Sequence, residues 1–298
     1  MAQNYEGSCI ISILRISPKR PFSVINDVTY TKYNNSQTII TILWKFLELQ
    51  EHIENNGLSV TAIQAYKILD LFEKLYNDFS IDDMEIARLE IAYMPYFHFK
   101  GKPKCLIRCI TKTPEFYIEF ISKAYKPDNG NDANTVSAMA EHVIRTANDV
   151  LRKFNDVPGC NANLIDEDVF IDWMRRAEQM AFELGYTKAF EICIGRLLSY
   201  SPIGNDGIFP HEIVRNYLES SSLEPLIRNF IVGKINQRGV HNVTWGADEK
   251  VIAQQYKSDT SLIRIKYPKT ASILNKLSEY YLGESLREQM REDGDFSF

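Results

Sequence analysis

From about residue 38 to residue 292, apolar residues return at steps of three and four, and helix punctuation fills the gaps between these runs. A period near 3.6 places such residues on one face of a helix, whereas a half-buried strand requires strict alternation. Ala62, Tyr66, Leu69, Phe72 and Tyr76 make the first clear stripe, behind Ser59 as N-cap. Ser80-Ile81-Asp82-Asp83 opens the next helix, with Met84, Ala87, Ile91 and Met94 on one face, and resembles a capping box with Asp in place of Glu. Met94-Pro95-Tyr96-Phe97 interrupts the period, and a short helix follows near 103–110. Thr113 then suits an N-cap and Pro114 a first helical position, where its missing N–H costs nothing, ahead of Phe116, Phe120, Ile121 and Ala124. A long helix is predicted over 133–154, ended by Val157-Pro158-Gly159. Asp166 caps a helix with the stripe Val169, Trp173, Ala177, Met180 and Leu184; Gly185 ends it, and Thr187 restarts helix through Phe190, Ile194 and Leu197. Further helices are predicted near 210–220, 223–235, 248–266 and 268–292. The expected fold is all-α, an irregular array of antiparallel helical hairpins, either α-solenoid-like or globular.

Two short N-terminal segments, 8–16 and 22–31, have strand-like composition. With no companion strands downstream, they read as an extended arm or a short hairpin. Pro127-Asp128-Asn129-Gly130-Asn131-Asp132 is the clearest loop in the chain. It suggests an N-terminal arm and helical domain over 1–127 and a C-terminal helical domain over 133–298, unless the array is continuous. No sequence unit recurs at fixed length, so a regular repeat family is not supported.

Hydrophobic residues at 45% and charged residues at 24% mark a globular chain rather than a disordered one. The five cysteines, Cys9, Cys105, Cys109, Cys160 and Cys193, are odd in number and scattered, which argues against a disulfide framework and for a reducing, cytoplasmic setting. Cys105 and Cys109 stand four apart on a helix, but no second Cys or His pair completes a zinc spacing, so they read as core. No metal, cofactor or membrane association is expected from these patterns: no apolar run reaches the roughly 18 residues that span a bilayer.

The least regular stretches are two glycine-bearing connectors, Asn205-Asp206-Gly207-Ile208-Phe209-Pro210-His211-Glu212 and Asn236-Gln237-Arg238-Gly239-Val240. His211-Glu212 begins like a metallopeptidase helix, but Ile213-Val214-Arg215 follows and the second His is missing, which favours ordinary helix-start chemistry. An enzymatic reading would rest on His211, Glu212 and His241. Arg238, with His241 and Trp245 close behind, offers a planar donor fork and an aromatic wall, which suit a partner contact. The simpler alternative is that Gly239 makes a positive-φ turn and Arg238 ties the loop to a neighbouring helix carboxylate. If the helix pair between the connectors runs out and back, Phe209 and His211 come near Arg238 at one end of the helices. The partner-binding candidates are therefore Arg238, His241, Trp245, Phe209 and His211.

Net charge is −5, which gives no global reason to expect nucleic acid. Locally, residues 100–126 hold seven Lys or Arg against two Glu, interleaved with aromatics, so Lys100, Lys102, Lys104, Arg108 and Lys112 are nucleic-acid candidates. A solvated helix face with its aromatics turned to the core is the commoner origin of such a run.

Six phrases carry a resemblance. They are Ala87-Arg88-Leu89-Glu90-Ile91-Ala92-Tyr93-Met94-Pro95, Thr113-Pro114-Glu115-Phe116-Tyr117-Ile118, Val157-Pro158-Gly159, Gly207-Ile208-Phe209-Pro210-His211-Glu212-Ile213-Val214-Arg215, Asn236-Gln237-Arg238-Gly239-Val240 and Tyr267-Pro268-Lys269-Thr270-Ala271-Ser272-Ile273-Leu274. In this order they resemble the helical C-terminal segment of a group of large, uncharacterised bacterial proteins, over roughly residues 85–293. After the Arg-Gly connector the group carries a glycine pair where this chain has Trp245-Gly246-Ala247-Asp248. The resemblance implies a piece or a stand-alone version of a longer protein, and it brings no activity and no catalytic residue. Together the readings point to a non-enzymatic scaffold or interaction module in a bacterial cytoplasm, whose partner is another protein or the remainder of a larger one. A nucleic-acid-associated subunit using 100–126 is the alternative, and the oligomeric state does not follow from the sequence.

Overall fold

The structure is a computed structural model that describes residues 35–54, 61–129, 138–221, 224–239 and 245–294. The strand-like segments at 8–16 and 22–31, Ser59 and His241 lie outside the described residues. Among the described residues the fold is all-α: twelve α-helices, one 3-10 turn and a hairpin of two very short strands. Contacts divide the chain into two units, but not at the 127–132 loop. The first unit is Met1–Ile110 with Ala138–Lys153, and the second is Thr111–Ser137 with Phe154–Phe298. The long helix predicted over 133–154 therefore belongs with the N-terminal residues, because its buried face packs on the turn at 94–98.

The first unit holds α1 (Ser36–Glu54), α2 (Ala62–Leu75), α3 (Asp83–Ala92), the 3-10 turn Met94–His98, most of α4 (Lys104–Lys112) and α6 (Ala138–Lys153). Thr61 caps α2 through a complete capping box with Gln64. The cap of α3 is Asp82, which accepts from the Met84 amide, so the cap sits two residues beyond the predicted Ser80. Phe72 organises the core, with its ring 5.6 Å from Tyr93 and 5.5 Å from Phe97. The Tyr93 hydroxyl donates to the Leu43 carbonyl at 2.7 Å, so this fully buried phenol is also hydrogen-bonded.

The most deeply buried charge among the described residues of this unit is Glu90. Glu90 has no exposed surface and accepts from the Tyr76 hydroxyl (2.5 Å), the Cys105 amide (3.1 Å) and the Leu106 amide (2.5 Å). Those two amides are in the first turn of α4, where N–H groups have no helical partner, so a carboxylate from α3 caps α4. Burial is the main influence on Glu90 and pushes its carboxyl up to about 7, against the pull of these three donors.

The second unit holds α5 (Pro114–Ala124), strands β1 (Cys160–Asn161) and β2 (Leu164–Ile165), α7 (Glu167–Glu183), α8 (Thr187–Leu198), α9 (Glu212–Ser220), α10 (Glu224–Asn236), α11 (Ala247–Ile263) and α12 (Pro268–Gly294). The strands pair antiparallel around Ala162 and Asn163, both at positive φ, the backbone of a tight two-residue hairpin. No sequence signal marked it, since neither position is Gly. Pro114 occupies the first turn of α5, and Thr113 stands at its N-cap but makes no side-chain capping bond. Asp166 caps α7 by accepting from the Val169 amide at 3.1 Å.

The buried line of α7 is Phe170, Trp173, Met174, Ala177 and Ala181. Of the predicted stripe, Trp173 and Ala177 are buried, while Val169 and Leu184 are exposed. The helix is rotated to bury Phe170, which removes more apolar surface from water than Val169 would. Trp173 packs on Tyr117 of α5 at 5.5 Å, and Arg176 donates to Glu115 from Nη2 and Nε (2.6 and 3.1 Å), so α5 and α7 form one layer. Between α8 and α10 the backbones touch: a Cβ on Gly195 would run into the Leu226 carbonyl. The last pair, α11 and α12, is an antiparallel hairpin laced along its length by Ser278 Oγ to Ala253 O (2.8 Å) and Ser285 Oγ to Gly246 O (2.7 Å).

Candidate interaction groove

Helix α9 is only nine residues long, and it is fixed at both ends by unusual means. At its start, the buried Arg215 side chain gathers the preceding loop around itself. Its Nη1 and Nη2 donate to the two Asp206 oxygens at 2.7 and 2.6 Å, Nε donates to Pro210 O at 2.6 Å, and Nη2 also reaches Ile208 O at 3.0 Å. This bidentate clamp holds the Asp206 carboxyl below the usual carboxylate range. The loop closes on itself as well: Gly204 N donates to Ile208 O, Asp206 N to Glu212 Oε1, and the Phe209–Pro210 bond is cis. A Cβ at Gly204 would stand 2.6 Å from Arg215 Nη2, so only glycine leaves room for the guanidinium. At the far end, Glu219 accepts from the Lys269 and Thr270 amides (3.1 and 2.8 Å) and thereby caps α12.

Fixed in this way, α9 lies beside α7 and leaves a groove of about 300 Å³ between them. Phe170, Met174 and Tyr217 floor it, with the Phe170 and Tyr217 rings edge to face at 6.0 Å. Ile171 on α7 and Ile213 on α9 form apolar shoulders, and Ile171 is 52% exposed. Glu167, Arg175 and Glu178 on α7 and Asn216 and Ser220 on α9 make the rim. Arg175 is neutralised by Asp172 at 2.8 Å, whereas Glu167 and Glu178 make no ion pair among the described residues. The field of Glu178 is felt nearby. Burial first and then Glu178 raise the Tyr217 phenol, and burial, Asp128 and Glu178 in that order raise the carboxyl of Glu191, which lies buried on α8.

The residues picked from sequence are used differently. His211 is buried and caps α9, its Nδ1 accepting from the Ile213 amide at 3.4 Å, while its Nε2 has no hydrogen-bond partner among the described residues. Phe209 is buried against Phe230 (5.8 Å), with Lys234 Nζ 3.9 Å above its ring; burial lowers the Lys234 ammonium. Gln237 of the second connector also reaches Lys234, at 3.4 Å, so a residue from each connector meets at that ammonium. Arg238 is turned to Glu249 at 2.5 Å, with both side chains largely buried, and lies 5.9 Å above the Tyr281 ring. That is the tie to a helix carboxylate which the sequence offered as its alternative. Trp245 is about half exposed, in a left-handed backbone conformation before α11.

The basic run is met by acids. Lys100 pairs with Asp70 (3.2 Å), Lys104 with Glu73 (2.8 Å) and Arg108 Nε with Asp83 (2.9 Å). Lys102 adds to the burial that lowers the Lys153 ammonium, and Lys112 sits in the last turn of α4. Cys105, Cys109 and Cys193 are buried free thiols; burial is the largest cause raising Cys193 to about 11, which leaves it inert as a nucleophile.

Sequence reasoning passed over Glu90, Arg215 and the groove. A signal existed for each charge: Glu90 falls four residues before Met94 on an expected apolar face, and Arg215 adjoins Val214 and precedes Leu218 by three. The groove had none, because it depends on how far α7 is rotated.

Among the described residues no group of His, Cys, Asp or Glu is placed to hold a metal ion, and no helix is long and apolar enough to cross a membrane. Comparison with protein-family models, curated proteins and solved structures gives no match.

Proposed function

We propose that this chain is a non-enzymatic helical interaction module that receives an apolar segment of a protein partner between α7 and α9. The observation that carries the reading is the groove itself, an apolar floor left open between two helices whose own positions are fixed by bidentate ion pairs and caps. Its volume is at the small end of the roughly 300–1,000 Å³ of ligand pockets, which suits one or two side chains projecting from a partner rather than a whole metabolite. An open trough between helices is also the usual seat of an amphipathic helix. The resemblance to segments of larger bacterial proteins and the free cysteines support a scaffold role in a bacterial cytoplasm. The test is direct titration of the full chain with fluorescent amphipathic helices that share one leucine face and carry neutral, basic or acidic flanks. Micromolar binding that Ile171→Asp weakens at least tenfold supports the reading; no binding by the intact chain overturns it.

The nucleic-acid alternative has weaker support, since Lys100, Lys104 and Arg108 already face carboxylates. It requires binding to single- or double-stranded oligonucleotides that falls steeply with salt and disappears when Lys100, Lys102, Lys104 and Arg108 are replaced by Ser. A flat anisotropy titration at low salt removes it.

A further inference from the structure

Glu167 and Glu178 are separated by eleven residues, three helical turns, so the two positions lie on the same face of α7 about 16 Å apart along its axis. Between them on that face come Ile171 and Met174, the apolar shoulder and floor of the groove. The one cation among the lining residues, Arg175, is paired with Asp172, while neither glutamate makes an ion pair among the described residues, and Glu167 meets only the positive end of its own helix. The groove is therefore an apolar strip with a free carboxylate at each end. A neutral apolar segment would leave those charges beside a newly dried surface, and an acidic one would meet them with repulsion.

We infer that the groove selects a basic amphipathic helix, with apolar side chains at its centre and a Lys or Arg at either end, about eleven residues apart. This rests on the groove being the docking site. Such a helix sets its two cations at the spacing of the two carboxylates and drops one or two apolar side chains onto Phe170, Met174 and Tyr217 between them. The match is symmetric end to end, so it holds for either orientation of the partner helix. The charges sit at the rim, so they govern partner choice and salt dependence more than total affinity.

The test uses three synthetic helices with the same central leucines, bearing Lys, Gln or Glu at two positions eleven residues apart, titrated against the full chain by fluorescence anisotropy. The Lys helix is expected to bind at least tenfold tighter than the Glu helix, with the gap narrowing between 50 and 300 mM salt, all about as expected for rim charges. In Glu167→Gln/Glu178→Gln the gap should close to within about twofold while the Gln helix binds as before. Both sites lie at the rim, and an unchanged melting curve confirms that the variant is folded. Equal binding of the Lys and Glu helices to the intact chain overturns the charge selection and leaves the groove reading standing. If none of the three helices binds, both readings fall.

Discussion

Glu90 and Arg215 are both fully buried ionisable side chains, yet the molecule accommodates them in opposite ways. Around Glu90 it places neutral donors, a phenol and two first-turn amides, and among the described residues no guanidinium or ammonium hydrogen-bonds to it, although Arg108 acts on it at longer range. Around Arg215 it places a bidentate carboxylate and two carbonyls. The difference follows from what each group can do when its surroundings fail. A carboxylate stripped of water can take up a proton, and Glu90 is on that course, with burial carrying it to about 7. A guanidinium stays charged, so its burial is tolerable only beside a permanent anion. Dipoles suffice for the first; the second needs an ion.

If that account holds, the largest effect belongs to Asp206. Asp206→Asn leaves the Arg215 charge buried without its anion, which should cost about 3–5 kcal/mol in denaturant unfolding, with little dependence on pH above 5. Glu212, 4.0 Å from Arg215, is too distant to replace a bidentate clamp. A loss below about 1 kcal/mol would show that the guanidinium is satisfied by the loop carbonyls alone. Next comes Arg238→Ala, which takes the guanidinium away from the buried Glu249. Here the group left behind is a carboxylate that can be protonated, so a smaller loss, about 2 kcal/mol, is expected. Helix binding at the α7–α9 groove should be unchanged in that variant, whereas a partner site at Arg238 would lose affinity without losing stability.

Glu90 sharpens the same contrast through pH. Its carboxyl is raised from 4.5 to about 7, so between those values the folded state holds a proton that the unfolded chain has released. The sign is therefore fixed: the contribution is complete below about pH 4.5 and is lost as pH rises to about 7. The slope for this one group reaches at most about 1.4 kcal/mol per pH unit. Glu90→Gln should flatten that part of the stability profile, with the variant gaining on the parent as pH rises from about 4.5 to about 7. Parallel profiles for the two proteins would mean that Glu90 does not titrate in this range.

Most of the fold could be read from the chain, because helix periodicity and caps act locally. Asp166, Pro114 and the hairpin of α11 and α12 needed only neighbouring residues to declare them. What escaped was set by contacts distant in sequence. Val169 and Phe170 are adjacent and both apolar, and which one α7 buries is decided by Tyr117 and Tyr217 on other helices. The same rotation sets Ile171 and Glu178 along the groove, so the candidate site could not be seen before the packing was known. Arg238 shows the converse. Its chemistry was legible as a donor fork, but only the position of Glu249 decides whether that fork points outward or into the protein.

The smallest expected effect tests whether the donors around Glu90 are interchangeable in the way an ion partner is not. Tyr76 donates to Glu90 Oε1, which also accepts from the Cys105 amide, so Tyr76→Phe leaves that oxygen with a partner. A lost hydrogen bond that strands no buried group is worth about 1 kcal/mol. The phenol stabilises the ionised carboxylate and so pulls the Glu90 carboxyl down. Its removal should shift the pH-dependent part of the stability curve to higher pH while leaving the fold intact, which calorimetry at several pH values can resolve. At Asp206 the gradation is coarser, since the next anion, Glu212, stands 4.0 Å from Arg215 and cannot form the bidentate clamp. A loss from Tyr76→Phe as large as that from Asp206→Asn would break the distinction between the two centres, because it would mean that a neutral donor is as indispensable to a buried carboxylate as an anion is to a buried guanidinium.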